Sequence, residues 1–378
     1  GGMKELLSAA KDWLKRFTEL LVQTHFPRRL TRARYDQYLA SGWFRGSVML
    51  YKMDLLCIDA NVFSVVNIRL DLQKYSLKKR HRKLKRRVEQ RFNITYGPAK
   101  VTPDKQRLYE QHKSKFKGFI HETLEEYLYA GFHSTVFETM EICIYDDDCL
   151  VATSFFDLGD KSMASLLAVY DVNYNAFSLG TYTMLKEIEF GIQTGRKLYY
   201  PGYVLDLPSR FDYKLELGEM EYYTPSKRWG KHSNFNPEET FAHALREQME
   251  SLKSALRDEN IAFKNWYYPY FSMGYMPLWK DRFLHMPWVR ELGHDLDGTM
   301  MAGFCPEKKE FMLCHVQPCP DEQHFINMEQ SNEFDNPSVY LTHLMEYGDK
   351  VTFQSLDDLM HANRIWQQRF DKLPPTCD

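Results

Sequence analysis

LVATSFFDLGDKSMASLLAVYDVNYNAFSLGTYTMLKEIEFGIQTGRKLYYPGYV, residues 150–204, changes period twice within one passage. Leu150–Asp157 and Ala164–Tyr170 are short apolar runs rich in β-forming residues, and Val136–Tyr145 upstream reads the same way. Asp146-Asp147-Asp148 and Gly159-Asp160-Lys161 supply the turns between them, so an antiparallel three-strand meander is expected. Tyr182, Leu185, Ile188, Glu189 and Ile192 then recur at three- and four-residue steps, which predicts a helix from about Leu179 to Gly195. A further strand, Lys197–Val204, follows. Three strands, a helix and a strand indicate an α+β fold: a mixed, largely antiparallel sheet flanked by helices.

Two joints in this passage carry polar residues suited to chemistry. At the first, a strand ends in Asp171, a loop holds Asn173 and Asn175, and Ser178 is placed to cap a helix with Gly180 in its first turn. Free N–H groups and the dipole at a helix start suit a phosphate or a developing oxyanion. The spacing alone fits an ordinary strand–loop–helix joint equally well. At the second, LYYPGYVLDLPSRFDYKLELG (198–218), Pro201-Gly202 interrupts an aromatic strand and predicts a bulge. Arg210 and Lys214 could bind an acidic group there, and Tyr200, Tyr203 and Tyr213 could donate hydrogen bonds or stack; a plain surface loop with exposed cations is the alternative.

Upstream, SLKKRHRKLKRRVEQRF (76–92) holds eight Lys or Arg in ten positions: Lys78, Lys79, Arg80, Arg82, Lys83, Lys85, Arg86 and Arg87. The whole 378-residue chain has a formal net charge of only −2, so any attraction to a polyanion is local. Ten helical residues make nearly three turns, so the charge surrounds the axis, leaving Leu77, Leu84 and Val88 as an apolar seam. Such crowding is costly without a neutralising partner, which points to nucleic acid; a solvated helix met by acids such as Asp71 or Glu89 is the competing reading.

Met3 to about Thr24 reads as an amphipathic packing helix, and residues 48–58 and 62–72 as strands. Thr102 with Pro103 predicts another helix start, Pro237–Glu259 a helix, and residues 300–316 a hairpin. Three regions are expected: 3–100 with the basic helix, 101–230 as the catalytic core, and 231–378 as a C-terminal extension. Seven scattered Cys and no run approaching a membrane span suggest a cytoplasmic protein with free thiols and no membrane partner. Cys305, Cys314, His315 and Cys319 match no standard zinc spacing, and no metal or cofactor is expected.

Taken in order, these motifs resemble the aminoacyl-tRNA–protein transferases, which transfer arginine or leucine to protein N-termini and mark them for degradation. The resemblance runs over about residues 35–215: Tyr35 to Trp43, the basic run Ser76 to Arg87, Leu150-Val151-Ala152, Val169-Tyr170-Asp171, Ser178-Leu179-Gly180-Thr181-Tyr182, Tyr199-Tyr200-Pro201-Gly202-Tyr203 and Tyr213-Lys214. It departs from the family at Val172, where Pro is usual, and at the N-terminal cysteines, of which only Cys57 remains. It implies a GNAT-like core, in one unit or a pair, with aminoacyl-tRNA as donor and proteins with specific N-terminal residues as acceptors. The catalytic residues would be Asp171, Ser178, Gly180 and Tyr203. The donor end would fall to Asp171, Ser178 and Gly180, with Asp171 as contact to the charged residue's amino group or as base. Acceptor recognition would fall near Tyr203, Arg210, Tyr213 and Lys214, with Tyr182, Tyr200 and Gly202 as further substrate contacts. Two other classes remain open: a GNAT acyltransferase using a coenzyme A thioester, disfavoured because no pyrophosphate-binding signature opens the helix, and a tRNA-binding relative without activity.

Overall fold

The meander forms where the apolar runs and the turn residues between them predict it. The computed structural model describes residues 2–5, 21–132, 134–326, 329, 330, 332–369, 371 and 372. Its first half holds helix α1 (Arg32–Ala40), the long strand β1 (Asn61–Asp71), the basic helix α2 (Lys79–Arg91), β2 (Asn93–Pro98) and α3 (Pro103–Lys115). Strands β3 (Thr139–Asp146), β4 (Cys149–Leu158) and β5 (Ser162–Tyr170) are the meander. Helix α4 (Leu179–Gln193) and strand β6 (Leu198–Leu205) complete the predicted pattern, and β7 (Met220–Tyr223) and β8 (Trp229–Lys231) extend it.

These strands form a nine-stranded sheet in the order β8-β7-β1-β6-β5-β4-β3-β2, with Leu55–Ile58 paired to β1 off that line. Strand β6 runs parallel to β5 and antiparallel to β1. Three antiparallel strands, a crossing helix and a strand parallel to the third are the GNAT-like arrangement, and the fold class is α+β. One face of the sheet packs on α4 through Ile68, Phe156, Met163, Leu185 and Ile188. Each such side chain contributes roughly 1.5–3 kcal/mol by leaving water.

The second half is joined to the first through α5 (Phe241–Asp258). Its Ala242, Leu245, Met249, Leu252 and Leu256 step by three and four along one buried stripe. That stripe shares a core with Val62 and Phe63 of β1 and with an antiparallel sheet of β9 (Lys264–Tyr267), β10 (Trp288–Asp295), β11 (Gly298–Cys305), β12 (Glu310–Pro318) and β13 (Met345–Phe353). Arg246 clamps the joint: Nη1 and Nη2 reach the Asp206 carboxylate at 2.8 and 3.2 Å, and Nη2 also reaches the Val62 carbonyl at 2.9 Å.

Several expectations need correction. The stretch 48–58 is two strands, Met49–Met53 and Leu55–Ile58, broken at Asp54. Of the helix expected over 3–24, residues 6–20 lie outside the described residues, and Val22–His25 is a strand. Its last residues pair with Met49–Met53, and that sheet pairing overrides the helical spacing. The helix expected from Pro237 begins at Phe241, capped by the Thr240 side chain, after a separate turn at Pro237–Glu239. His133 lies outside the described residues.

Candidate active site

Strands β5 and β6 are paired in parallel only over Ser162–Ala164 and Leu198–Tyr200 and then separate. Both walls of this opening are irregular. The β5 register with β4 shifts between Ser165 and Leu167, and the β6 register with β1 shifts between Tyr199 and Gly202. The second shift has a local cause. Pro201 has no N–H to give to a ladder, and Gly202 takes φ +117°, a conformation that L side chains rarely adopt. A Cβ on Gly202 would lie 3.1 Å from the Lys214 Nζ.

Lys214 belongs to the 3-10 segment Arg210–Leu217, which a Ser209–Asp212 capping box anchors above this opening. Its side chain is buried, and its Nζ donates to the Tyr203 carbonyl oxygen at 2.8 Å. The rings of Phe211, Tyr203 and Tyr213 lie 5.1, 5.2 and 5.9 Å from the same nitrogen. Burial is what moves its amine, from 10.5 down to about 7. Tyr203 itself is packed between Phe44 and Phe211, and burial raises its hydroxyl to about 12. Arg210 is exposed, stacks on Phe211 and approaches Asp59 at 3.5 Å. Tyr213 is half-exposed, and its hydroxyl is raised by burial first and then by the fields of Tyr170 and Glu187.

The α4 side of the opening differs from the sequence reading in one respect. The Asp171 side chain accepts from the Asn173 N–H at 2.9 Å and so caps the short turn Val172–Phe177. Ser178 ends that turn at φ 52°, in the left-handed region, and its side chain caps nothing. Ser178 is exposed, and the first-turn Gly180 sits beside the half-exposed ring of Tyr170, which a Cβ on Gly180 would meet at 3.5 Å. Tyr182 and Tyr200 have their hydroxyls taken up by other elements. Tyr182 is wholly buried and donates to Glu89 at 3.2 Å; Tyr200 is buried and accepts from Arg69 at 3.2 Å.

Glu187 is not among the site residues that the sequence suggests. It is 0% exposed, projects from α4 beneath the sheet, and accepts from the Tyr199 hydroxyl at 2.7 Å. Its second oxygen is buried, with the hydroxyls of Ser154 and Ser165 near the carboxylate. Burial holds its carboxyl up at about 7 despite the hydroxyls of Tyr199, Ser154 and Ser165.

The basic helix α2 packs along α4. Val88 and His81 are buried, while Lys78, Lys79, Arg80, Arg82, Lys83, Arg86 and Arg87 are exposed. Lys85 reaches Glu189 at 3.1 Å, and Glu89 holds both Tyr182 and Lys186, the latter at 3.3 Å. Arg87 donates to the Ala176 carbonyl at 3.3 Å, in the turn that leads into α4. Glu216 meets Arg80 and Lys78, so a minority of the charge is neutralised within the protein. A groove of about 400 Å³ is lined by Leu77, Arg82, Lys85, Arg86, Glu89 and Gln90.

Residues 102–224, which contain the meander, α4 and the bulged strand, match the family model of the arginine-tRNA-protein transferase C terminus. The chain is 24% identical over 208 residues to the aspartate/glutamate leucyltransferase of Leptospira interrogans, covering 53% of this chain and 76% of that one. It is 25% identical over 182 residues to the enzyme of the same name from Helicobacter hepaticus, covering 47% of this chain and 73% of that one. Among solved structures, FemX is similar over 55% of this chain and 69% of its own at 10% identity and a TM-score of 0.32, too partial a likeness to bear on the fold. The family-model match falls on the splayed strands and the helix beneath them, and over these residues the chain is similar to the aminoacyl-tRNA–protein transferases.

Proposed function

We propose that this protein transfers an aminoacyl group, leucine or arginine, from its tRNA to the α-amine of proteins that begin with Asp or Glu. The observation that carries the reading is the opening between β5 and β6, bounded by an exposed helix start on one side and a buried amine on the other. An aminoacyl ester is already activated, so the enzyme's task is to align two reactants and stabilise an oxyanion. The donor end is assigned to Asp171, Ser178 and Gly180, with the Tyr170 ring as a stacking face for a terminal base. The acceptor is assigned to the side of Tyr203, Arg210 and Tyr213, where the exposed guanidinium would pair with an acidic first side chain. Exposed charges of α2, from Lys78 to Arg87, are assigned to tRNA phosphates.

The test uses tRNA charged with labelled leucine or arginine and peptides that begin with Asp, Glu, Lys or Arg. Label on the Asp and Glu peptides from one of the two donors is the expected result. Label on Lys or Arg peptides alone would overturn the acceptor assignment, and no label on any peptide would overturn the transferase reading.

A further inference from the structure

Lys214 is unusual among the cations near the opening. Arg210 is exposed and approaches Asp59, and Arg69 is bonded to Glu221 at 2.9 Å. Lys214 has instead a main-chain carbonyl and three aromatic rings around its nitrogen, and no carboxylate field acts on it. The surroundings are specific to that placement. The nitrogen sits over Gly202, next to the bulge in the β6 pairing with β1 and just beyond the last residue of β6 paired to β5. The rings attract an ammonium, but burial away from any carboxylate outweighs them and favours the neutral amine.

Resting on the transferase reading above, we infer that Lys214 is the general base that deprotonates the acceptor's α-ammonium. The neutral Nζ takes one proton from the ammonium. The freed nitrogen attacks the ester carbonyl carbon, and the carbon–oxygen bond to the tRNA ribose breaks. The second proton leaves the nitrogen for the ribose oxygen, so the products are an amide, a free tRNA hydroxyl and a protonated Lys214 that returns its proton to water. An α-amine ordinarily titrates near 7.7–8. Lys214, lowered to about 7 by its burial, is matched closely enough for the transfer to run near balance, and about half of it is neutral at neutral pH. The Tyr203 carbonyl accepts an N–H from Lys214 at 2.8 Å, a bond that the ammonium and the neutral amine can both make, and so holds the nitrogen in place.

Two variants separate this role from charge recognition. Lys214→Arg keeps a cation but cannot be deprotonated in the working pH range. Lys214→Met keeps the stem's volume and removes the base. With wild-type transfer established, both are expected to lose about 10²–10⁴ in kcat on every accepted peptide. Melting temperature and tRNA affinity should stay close to wild type. Retention of kcat within about threefold in Lys214→Arg, or a loss confined to KM on Asp and Glu peptides, would overturn the base assignment while leaving the transferase reading intact. If the arginine variant fails to fold, the methionine variant decides by the same criterion. A wild-type protein with no transfer on any peptide would remove the transferase reading and this assignment together.

Discussion

Replacing Glu187 with Gln should make the protein's stability respond differently to pH, and the size follows from burial. The Glu187 carboxyl is 0% exposed and titrates at about 7, against 4.5 for the free side chain. Below 4.5 it is protonated whether the chain is folded or not, and it adds no pH dependence. Between 4.5 and about 7 the folded chain keeps a proton that the unfolded chain has released, so stability falls as pH rises. Above about 7 the carboxylate is charged in both states and the loss is complete. At about 1.4 kcal/mol per pH unit, the full loss is roughly 3 kcal/mol. Gln accepts the Tyr199 hydroxyl as Glu does, and its neutral amide stands in the same buried site near Ser154. Urea unfolding of both proteins at pH 5 and pH 8 isolates this group, because Asp54, raised to about 6 by its own burial, cancels in the comparison. The stability of Glu187→Gln relative to wild type should improve by roughly 2–3 kcal/mol from the lower pH to the higher. A relative stability that does not move by more than about 0.5 kcal/mol would refute the claim that this carboxyl pays a desolvation penalty.

Two further outcomes test the scaffold and the proposed tRNA contact. Arg45 and Asp157 are each about 1% exposed and meet at 2.8 Å, with Arg45 also donating to Thr139, Ser47 and Leu128. Arg45→Met should therefore destabilise by about 3–5 kcal/mol in denaturant melts, because it leaves the Asp157 carboxylate buried without its cation. Replacing Lys79, Lys83 and Arg86, all exposed on α2, with Ala should lower the slope of log affinity for tRNA against log salt by about 2–3. An unchanged slope in a salt titration would mean that the helix is a solvated face.

The parts of this fold that could be read from the sequence are those set by local period. The meander turns at Asp146–Asp148 and Gly159–Lys161 fall between strands ending at Asp146 and Leu158, and α4 starts at the residue predicted. What could not be read depends on contacts distant in sequence or on a single dihedral. Ser178 has the right residue type for a cap, but a cap needs extended backbone, and Asp171 turns the chain so that Ser178 arrives left-handed. Tyr182 and Tyr200 stand among aromatic motif residues, yet partners 93 and 131 residues away take their hydroxyls into the core. Glu187 did leave a signal. Met184, Glu187 and Gly191 step by three and four on the buried arc of α4, which also includes Leu185 and Ile188, so a carboxylate at that position was bound to face the sheet.

The concentration of charge in a near-neutral chain follows from the same geometry. Cations spread evenly over the surface would attract a polyanion without aligning it. Here α2 is fixed to α4 by Lys85–Glu189, by Glu89 to Tyr182 and Lys186, and by Arg87 to the Ala176 carbonyl just ahead of α4. The helix that bears the charge is therefore registered against the helix whose start borders the opening beside Tyr170 and Gly180. Glu89 is central to that register, because one carboxylate holds two residues of α4. Phosphates bound along α2 would then fix where a tRNA's charged end lies relative to the separated strands. Loosening α2 from α4 would leave the attraction in place and lose the aim, and only an ion pair that joins the two helices can separate those two effects.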